Sequence, residues 1–113
     1  MAYKILGQAN LSTTNNTDIY TVPAGNQAVV STLDITSTEL NITDVTVYVR
    51  KNNAGTLAGA SRSNALVWQF PVEAYNIIPL TIGITLAAGD TITAQAANAN
   101  SITVHVYGNE SEL

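Results

Sequence analysis

Cysteine is absent from the 113 residues. That excludes disulfides, thiolate nucleophiles, zinc–thiolate sites and iron–sulfur clusters. Histidine occurs once, so no site built from several imidazoles can form within one chain. Charge is scarce too. Charged residues make up 11% of the chain, against about 25% in an ordinary soluble protein. Four Lys and Arg against eight Asp and Glu leave a net charge of −4. Such a chain lacks the basic footprint that a phosphate backbone requires, so nucleic acid is not an expected partner. Long apolar runs are missing as well. The most apolar window, 77–88, is interrupted by Pro79, Thr81, Gly83 and Thr85, and it falls short of the roughly 20 residues that span a bilayer. At the start, only Ile5 and Leu6 precede polar sequence, which is not the apolar stretch of a signal peptide. Neither a membrane nor a targeting segment is expected. Intrinsic disorder is excluded by the 46% hydrophobic content, which suffices for one real core.

Alternation with period two dominates the chain, and it is the mark of short antiparallel strands. In Asp44-Val-Thr-Val-Tyr-Val-Arg50, three valines share one face. Thr46, Tyr48 and Arg50 share the other. Ser101 to Tyr107 repeats the plan with Ile102, Val104 and Val106 inward, as does Leu80 to Leu86 with Leu80, Ile82, Ile84 and Leu86. Asp90 to Ala96 directs Ile92, Ala94 and Ala96 one way, and Ala28 to Ser37 groups Val29, Leu33 and Ile35. Tyr3 to Ala9, Thr17 to Val22 and Ala65 to Val72 complete about eight strands. Pro23-Ala-Gly25 forms a turn in which Pro fixes φ and Gly takes φ > 0. Ala88-Gly-Asp90 reads as a tight hairpin, Asn98-Ala-Asn100 joins the last two strands, and Asn52-Asn-Ala-Gly55 with Gly59 marks a loop. No dozen-residue segment has helical periodicity. The expected fold is an all-β, antiparallel, jelly-roll-like sandwich: one domain over 1–113, with a short polar tail at 109–113.

No constellation for catalysis stands out, and a non-enzymatic protein is expected. His105 lies between Val104 and Val106, on the parity of Thr103 and Tyr107, and reads as a strand histidine on a solvated or interface face. No carboxylate pair has a spacing that ties it to hydrolysis, and Asp90 reads as a turn residue bonding local N–H groups. Calcium-loop, Walker and dinucleotide patterns are absent, so no metal and no cofactor are expected. Four Asn-x-Ser/Thr sequons, at Asn10, Asn15, Asn41 and Asn109, reflect the Asn- and Thr-rich composition. Arg50, Lys51 and Arg62 are too few for a nucleic-acid patch. Trp68 and Phe70, two apart, are expected on one strand face, either in the core or anchoring an interface.

The outward positions are Thr46, Tyr48, Arg50; Thr81, Gly83, Thr85; Thr91, Thr93, Gln95; and Thr103, His105, Tyr107. Free sheets usually carry Lys and Glu there. A neutral face can be covered by protein with little desolvation of charge. Thr chosen for strand propensity would produce the same pattern. The candidate interface is Tyr48, Arg50, Thr103, His105 and Tyr107.

Tyr20-Thr-Val-Pro-Ala-Gly25 followed by Ala28-Val-Val-Ser-Thr-Leu-Asp-Ile35 resembles the opening of a small β-sandwich found in structural proteins of tailed bacteriophages. Ile84-Thr-Leu-Ala-Ala-Gly-Asp-Thr-Ile92 and Val104-His-Val-Tyr-Gly108 resemble its close. The Leu86-to-Ile92 turn is also similar to the ends of trimeric jelly-roll heads. The resemblance runs from about Tyr3 to Glu110 and implies a virion protein without catalytic residues. A capsid cement or decoration protein is expected, bound to the major capsid protein or other virion proteins. A tail, neck or fibre-head module that binds a receptor is the alternative. A homo-oligomer is expected, a trimer first and a dimer next.

Overall fold

The computed structural model describes residues 3–11, 17–40, 42–51 and 65–112. The expected loop at Asn52–Gly55 and Gly59, the cation Arg62, and the sequons at Asn15 and Asn41 lie outside the described residues. Eight strands are described: β1 (Tyr3–Asn10), β2 (Thr17–Thr21), β3 (Asn26–Ser37), β4 (Thr43–Arg50), β5 (Ala65–Val72), β6 (Ile77–Leu86), β7 (Thr91–Ala96) and β8 (Ile102–Glu112). They form two four-stranded sheets, β1-β8-β3-β6 and β2-β7-β4-β5. Every pairing is antiparallel. The chain is thus an all-β sandwich.

The core is the layer between the sheets. Leu33, Ile35, Val104 and Val106 from the first sheet meet Val45, Val47, Ile92 and Ala94 from the second, all buried. Burying one such side chain contributes roughly 1.5–3 kcal/mol. Ile78, Leu80, Ile82 and Ile84 of the edge strand β6 pack against this layer while staying partly exposed.

Three expectations are corrected. Ala88-Gly-Asp90 does not close a hairpin, because β6 and β7 belong to different sheets. The turn itself is as expected: Asp90 N–H donates to the Ala87 carbonyl at 3.0 Å, Gly89 has φ 89°, and Ala87 N–H donates to Asp90 Oδ2 at 3.0 Å. Beside it lies the Pro23 turn, with Gly25 at φ 81°. Val22 N–H donates to the Asp90 carbonyl at 3.0 Å, and Gly89 N–H to the Val22 carbonyl at 2.9 Å. Two sheet-to-sheet crossings are thereby joined. Second, Val29 faces outward, 45% exposed. A bulge between Val30 and Thr32 inserts Ser31 and switches the parity, so Val30 and Leu33 both point inward. Third, the polar residues 109–112 are not a tail. They extend β8, where Asn109 pairs with Val29 and Glu112 with Asn26.

The bulge also explains Gly108. A Cβ there would collide with the Val29 carbonyl oxygen and lie 2.9 Å from Val30 Cα. Backbone atoms cannot swing aside as a flexible side chain can. Gly83, on the outward face of β6, meets nothing within 4 Å. Gly108→Ala is therefore expected to lower unfolding free energy by about 2 kcal/mol or more. Gly83→Ala is expected to be neutral or stabilising by about 0.5 kcal/mol, since Ala restricts the unfolded chain. Urea titrations of the two variants make the comparison.

At the end of the sandwich Tyr20 of β2 donates its hydroxyl to Glu110 of β8 at 2.5 Å. Glu110 also takes Asn26 Nδ2 at 3.5 Å and pairs with Lys4 Nζ at 3.5 Å. Strands of both sheets are tied by one carboxylate. The Tyr20 hydrogen bond, helped by the Lys4 charge, holds the Glu110 carboxyl below the usual carboxylate range against the opposing effect of burial. Burial, together with the same carboxylate, raises the Tyr20 hydroxyl well above its usual value. A depressed carboxyl stabilises the fold above its unfolded-state pKa and loses that contribution as pH falls through its folded value. Tyr20→Phe should cost about 1–2 kcal/mol at pH 7. The gap between wild type and variant should narrow as the solution is acidified, measured by thermal unfolding across pH.

Candidate protein interface

The second sheet turns a largely covered face away from the core. Thr46, Tyr48, Arg50, Thr91 and Thr93 are on the outward parity, yet all are buried. The expectation that Thr46, Tyr48, Arg50, Thr91 and Thr93 face solvent is thus corrected. Arg50 has only 1% of its side chain exposed, beside an Asp18 side chain that is 37% exposed. Its Nη2 donates to Asp18 Oδ1 at 2.8 Å, and its Nε donates to Thr93 Oγ1 at 3.1 Å. The Thr93 hydroxyl donates in turn to the same Asp18 oxygen at 2.8 Å. The three residues come from β4, β2 and β7, so this closed triangle ties three strands. Satisfying the guanidinium in this way makes its burial tolerable. The link to Asp18 is invisible in sequence, because 32 residues separate the partners.

Tyr48 meets Trp68 edge to face, with centroids 6.3 Å apart. Trp68 and Phe70 do not share a face, contrary to expectation. Gln69 sits at φ 47°, where the β4–β5 register shifts, and this bulge breaks the alternation. Trp68 lies with Tyr48 on the outward side. Phe70 reaches the edge of the core, where with Ile35, Val67, Ile78 and Leu80 it lines a cavity of about 80 Å³. Both rings stay partly exposed, 43% and 49%.

The first sheet turns a different face outward. Thr103, His105 and Tyr107 run along β8 with intermediate exposure. Opposite His105 lie Gln8 of β1 and Asp34 of β3. Asn10 donates from Nδ2 to Thr103 Oγ1 at 3.1 Å. The rings of His105 and Tyr107 stack, 5.9 Å apart and 11° from parallel. Ile5, Val29 and Ile77, which sequence reasoning did not assign to this face, are exposed on it. Among the described outward positions of this sheet, Asp34 is the one carboxylate, and there is no Lys or Arg. Of the five candidate interface residues, Thr103, His105 and Tyr107 are thus brought together. Tyr48 and Arg50 lie on the opposite sheet and are engaged internally.

Among the described residues no group of three or more His, Asp or Glu is placed to hold a metal ion. No helix is long and apolar enough to cross a membrane. No protein-family model matches the chain, and no curated protein matches it. Among solved structures it is similar to a pentameric capsid protein isolated from metagenomic phage sequences. That match has 22% identity and a TM-score of 0.41 and covers 96% of this chain and 60% of that chain. A second structure bearing that description, solved by iodide phasing, matches with the same identity and TM-score over 96% of this chain and 64% of that chain. A structure of infectious bursal disease virus, Gx strain, matches at 14% identity and a TM-score of 0.27, over 97% of this chain and 32% of that chain. The chain thus spans less than two thirds of the length of each. It is a small all-β domain that matches parts of longer chains.

The Arg50 triangle sets a test. Asp18→Ala leaves a buried guanidinium short of its carboxylate. Removing one partner of a fully buried pair costs about 3–5 kcal/mol, and the exposure of Asp18 brings the expected loss to about 1–3 kcal/mol. The double variant Asp18→Ala/Arg50→Met should recover part of that loss, a coupling read from chemical denaturation of the full cycle.

Proposed function

We propose that this chain is a structural protein of a bacteriophage virion, acting as a capsid cement or decoration protein. The observation that carries the reading is the outward face of β1-β8-β3-β6: a broad sheet surface with one carboxylate, no cation and a stacked His105–Tyr107 pair on a central strand. Such a face can be covered by another subunit without stranding charges. Its tyrosine belongs to the residue types that dominate interface energetics. The turn and strand motifs that resemble tailed-phage structural modules support the same reading. We read the strand orders β1-β8-β3-β6 and β2-β7-β4-β5 as a jelly roll, an architecture recurrent in viral capsids.

The partners in this reading are the major capsid protein and further copies of the chain, a trimer before a dimer. Work is done by buried surface, not by bond chemistry. A protein bound across a subunit boundary favours the assembled shell by mass action, and repeated copies multiply a modest contact through avidity. Thr103, His105 and Tyr107 form the centre of the contact.

Tyr107→Ala is expected to weaken self-association and shell binding by at least about 1 kcal/mol, or roughly fivefold, while unfolding free energy changes less. Sedimentation velocity and co-sedimentation with expanded shells measure the two. A protein that stays monomeric at high concentration and leaves shells in the supernatant would remove the cement reading and favour a receptor-binding module on the tail or fibre.

A further inference from the structure

Leu40, Ile42 and Tyr75, 69%, 61% and 68% exposed, are the most exposed large hydrophobic residues among those described. All three lie at one end of the sandwich. Leu40 and Ile42 belong to the connection from β3 to β4, and Tyr75 to the connection from β5 to β6. Backbone hydrogen bonds hold the two connections together. Tyr75 N–H donates to the Glu39 carbonyl at 3.2 Å, and Ser37 N–H to the Asn76 carbonyl at 2.8 Å. Single exposed apolar residues are ordinary on a protein surface. Three gathered on joined loops and rimmed by polar residues mark an interaction site. Tyr75 adds a second observation. It is the third residue of a turn closed by Asn76 N–H to the Glu73 carbonyl at 3.2 Å, and its φ is 55°. Glycine or asparagine takes that position at little cost. A tyrosine there is strained, and strained residues gather at functional sites.

Charge selects the partner. Glu39, Asp44 and Glu73 flank the three side chains in sequence, and all are exposed. No described Lys or Arg lies at this end. β4 starts here at Thr43 and carries Arg50 to the opposite end, where Arg50 pairs with Thr91 and Lys51 follows. Lys4 is at the opposite end as well, where it meets Glu110 near the close of β8. The patch is therefore an apolar centre with an acidic border, the anatomy of an interface core and its polar rim. That border repels an anionic bilayer or a nucleic-acid backbone. Two copies meeting head to head would bring like charges together. A basic partner gains at the border and at the centre at once. We propose that this end of the sandwich binds a segment of another protein in which apolar side chains stand beside Lys or Arg. None of the residues of the proposed capsid contact belongs to it, and it does not rest on the cement reading.

To test this, random dodecapeptides displayed on yeast are selected against the immobilised protein, and the recovered sequences are synthesised and titrated by fluorescence anisotropy. They are expected to be rich in Lys or Arg together with Leu, Ile, Phe or Trp, and to bind more weakly as salt rises. Tyr75→Gly should weaken binding at least about tenfold. The same variant should melt at or above the wild-type temperature, because glycine relieves the turn. Leu40→Ser/Ile42→Ser reads the same loss without touching that turn. Glu39→Gln/Glu73→Gln should weaken binding and flatten its salt dependence. Tyr107→Ala should leave it unchanged, whatever becomes of shell binding. Recovery of no peptide overturns the proposal. So do peptides with no excess of basic residues, or loop variants that bind as the wild type does. Preferential partition onto phosphatidylglycerol vesicles would give the patch to a membrane, and self-association lost in Tyr75→Gly would give it to a second copy. Either result overturns the proposal too.

Discussion

Contact between the two inward faces is the interaction on which the rest of the structure depends. Among the described strands, β4 and β5 are the one pair of sequence neighbours that share hydrogen bonds. Every other connection passes from one sheet to the other. No hairpin apart from β4–β5 can therefore form first and recruit the remainder. The strands acquire partners only as the apolar layer of Leu33, Ile35, Val45, Val47, Val104 and Val106 closes. Loop-closure entropy is lost before those contacts are gained, which is the physical reason such topologies fold slowly. The joined turns at Pro23 and Asp90 and the Tyr20–Glu110 tie sit where the chain changes sheet, so polar contacts reinforce crossings that apolar packing alone leaves open.

The two outward faces handle scarce charge in opposite ways. The second sheet takes a cation out of solvent and surrounds it with Asp18 and Thr93. The outward face of the first sheet carries, among its described positions, one carboxylate and no Lys or Arg, and Thr, Gln and Asn occupy positions where a free sheet would place Lys or Glu. One face is therefore specified by internal pairing. The other stays electrostatically undefended against association, which is the physical basis for the subunit contact proposed there.

The bulges connect fold to site. At Ser31 an extra residue reverses the parity of β3, exposes Val29 and draws the Gly108 backbone against its neighbour. At Gln69 a second bulge separates Trp68 from Phe70. A strand with an inserted residue still reads as alternating over each half. The sequence therefore shows two plausible faces, and only the pairing partner reveals where they exchange.

From sequence alone the strand identities, the all-β class and the inward sets Ile102/Val104/Val106 and Leu80/Ile82/Ile84/Leu86 could be read, because period two is a local property of a pleated backbone. The turn chemistry of Gly25, Gly89 and Asp90 was legible for the same reason, since it depends on φ and on groups a few residues away. Which strands pair, which outward face is covered, and which carboxylate answers Arg50 were decided by tertiary structure. Those outcomes depend on residues tens of positions apart meeting in space, and no local pattern records the meeting of Asp18, Arg50 and Thr93.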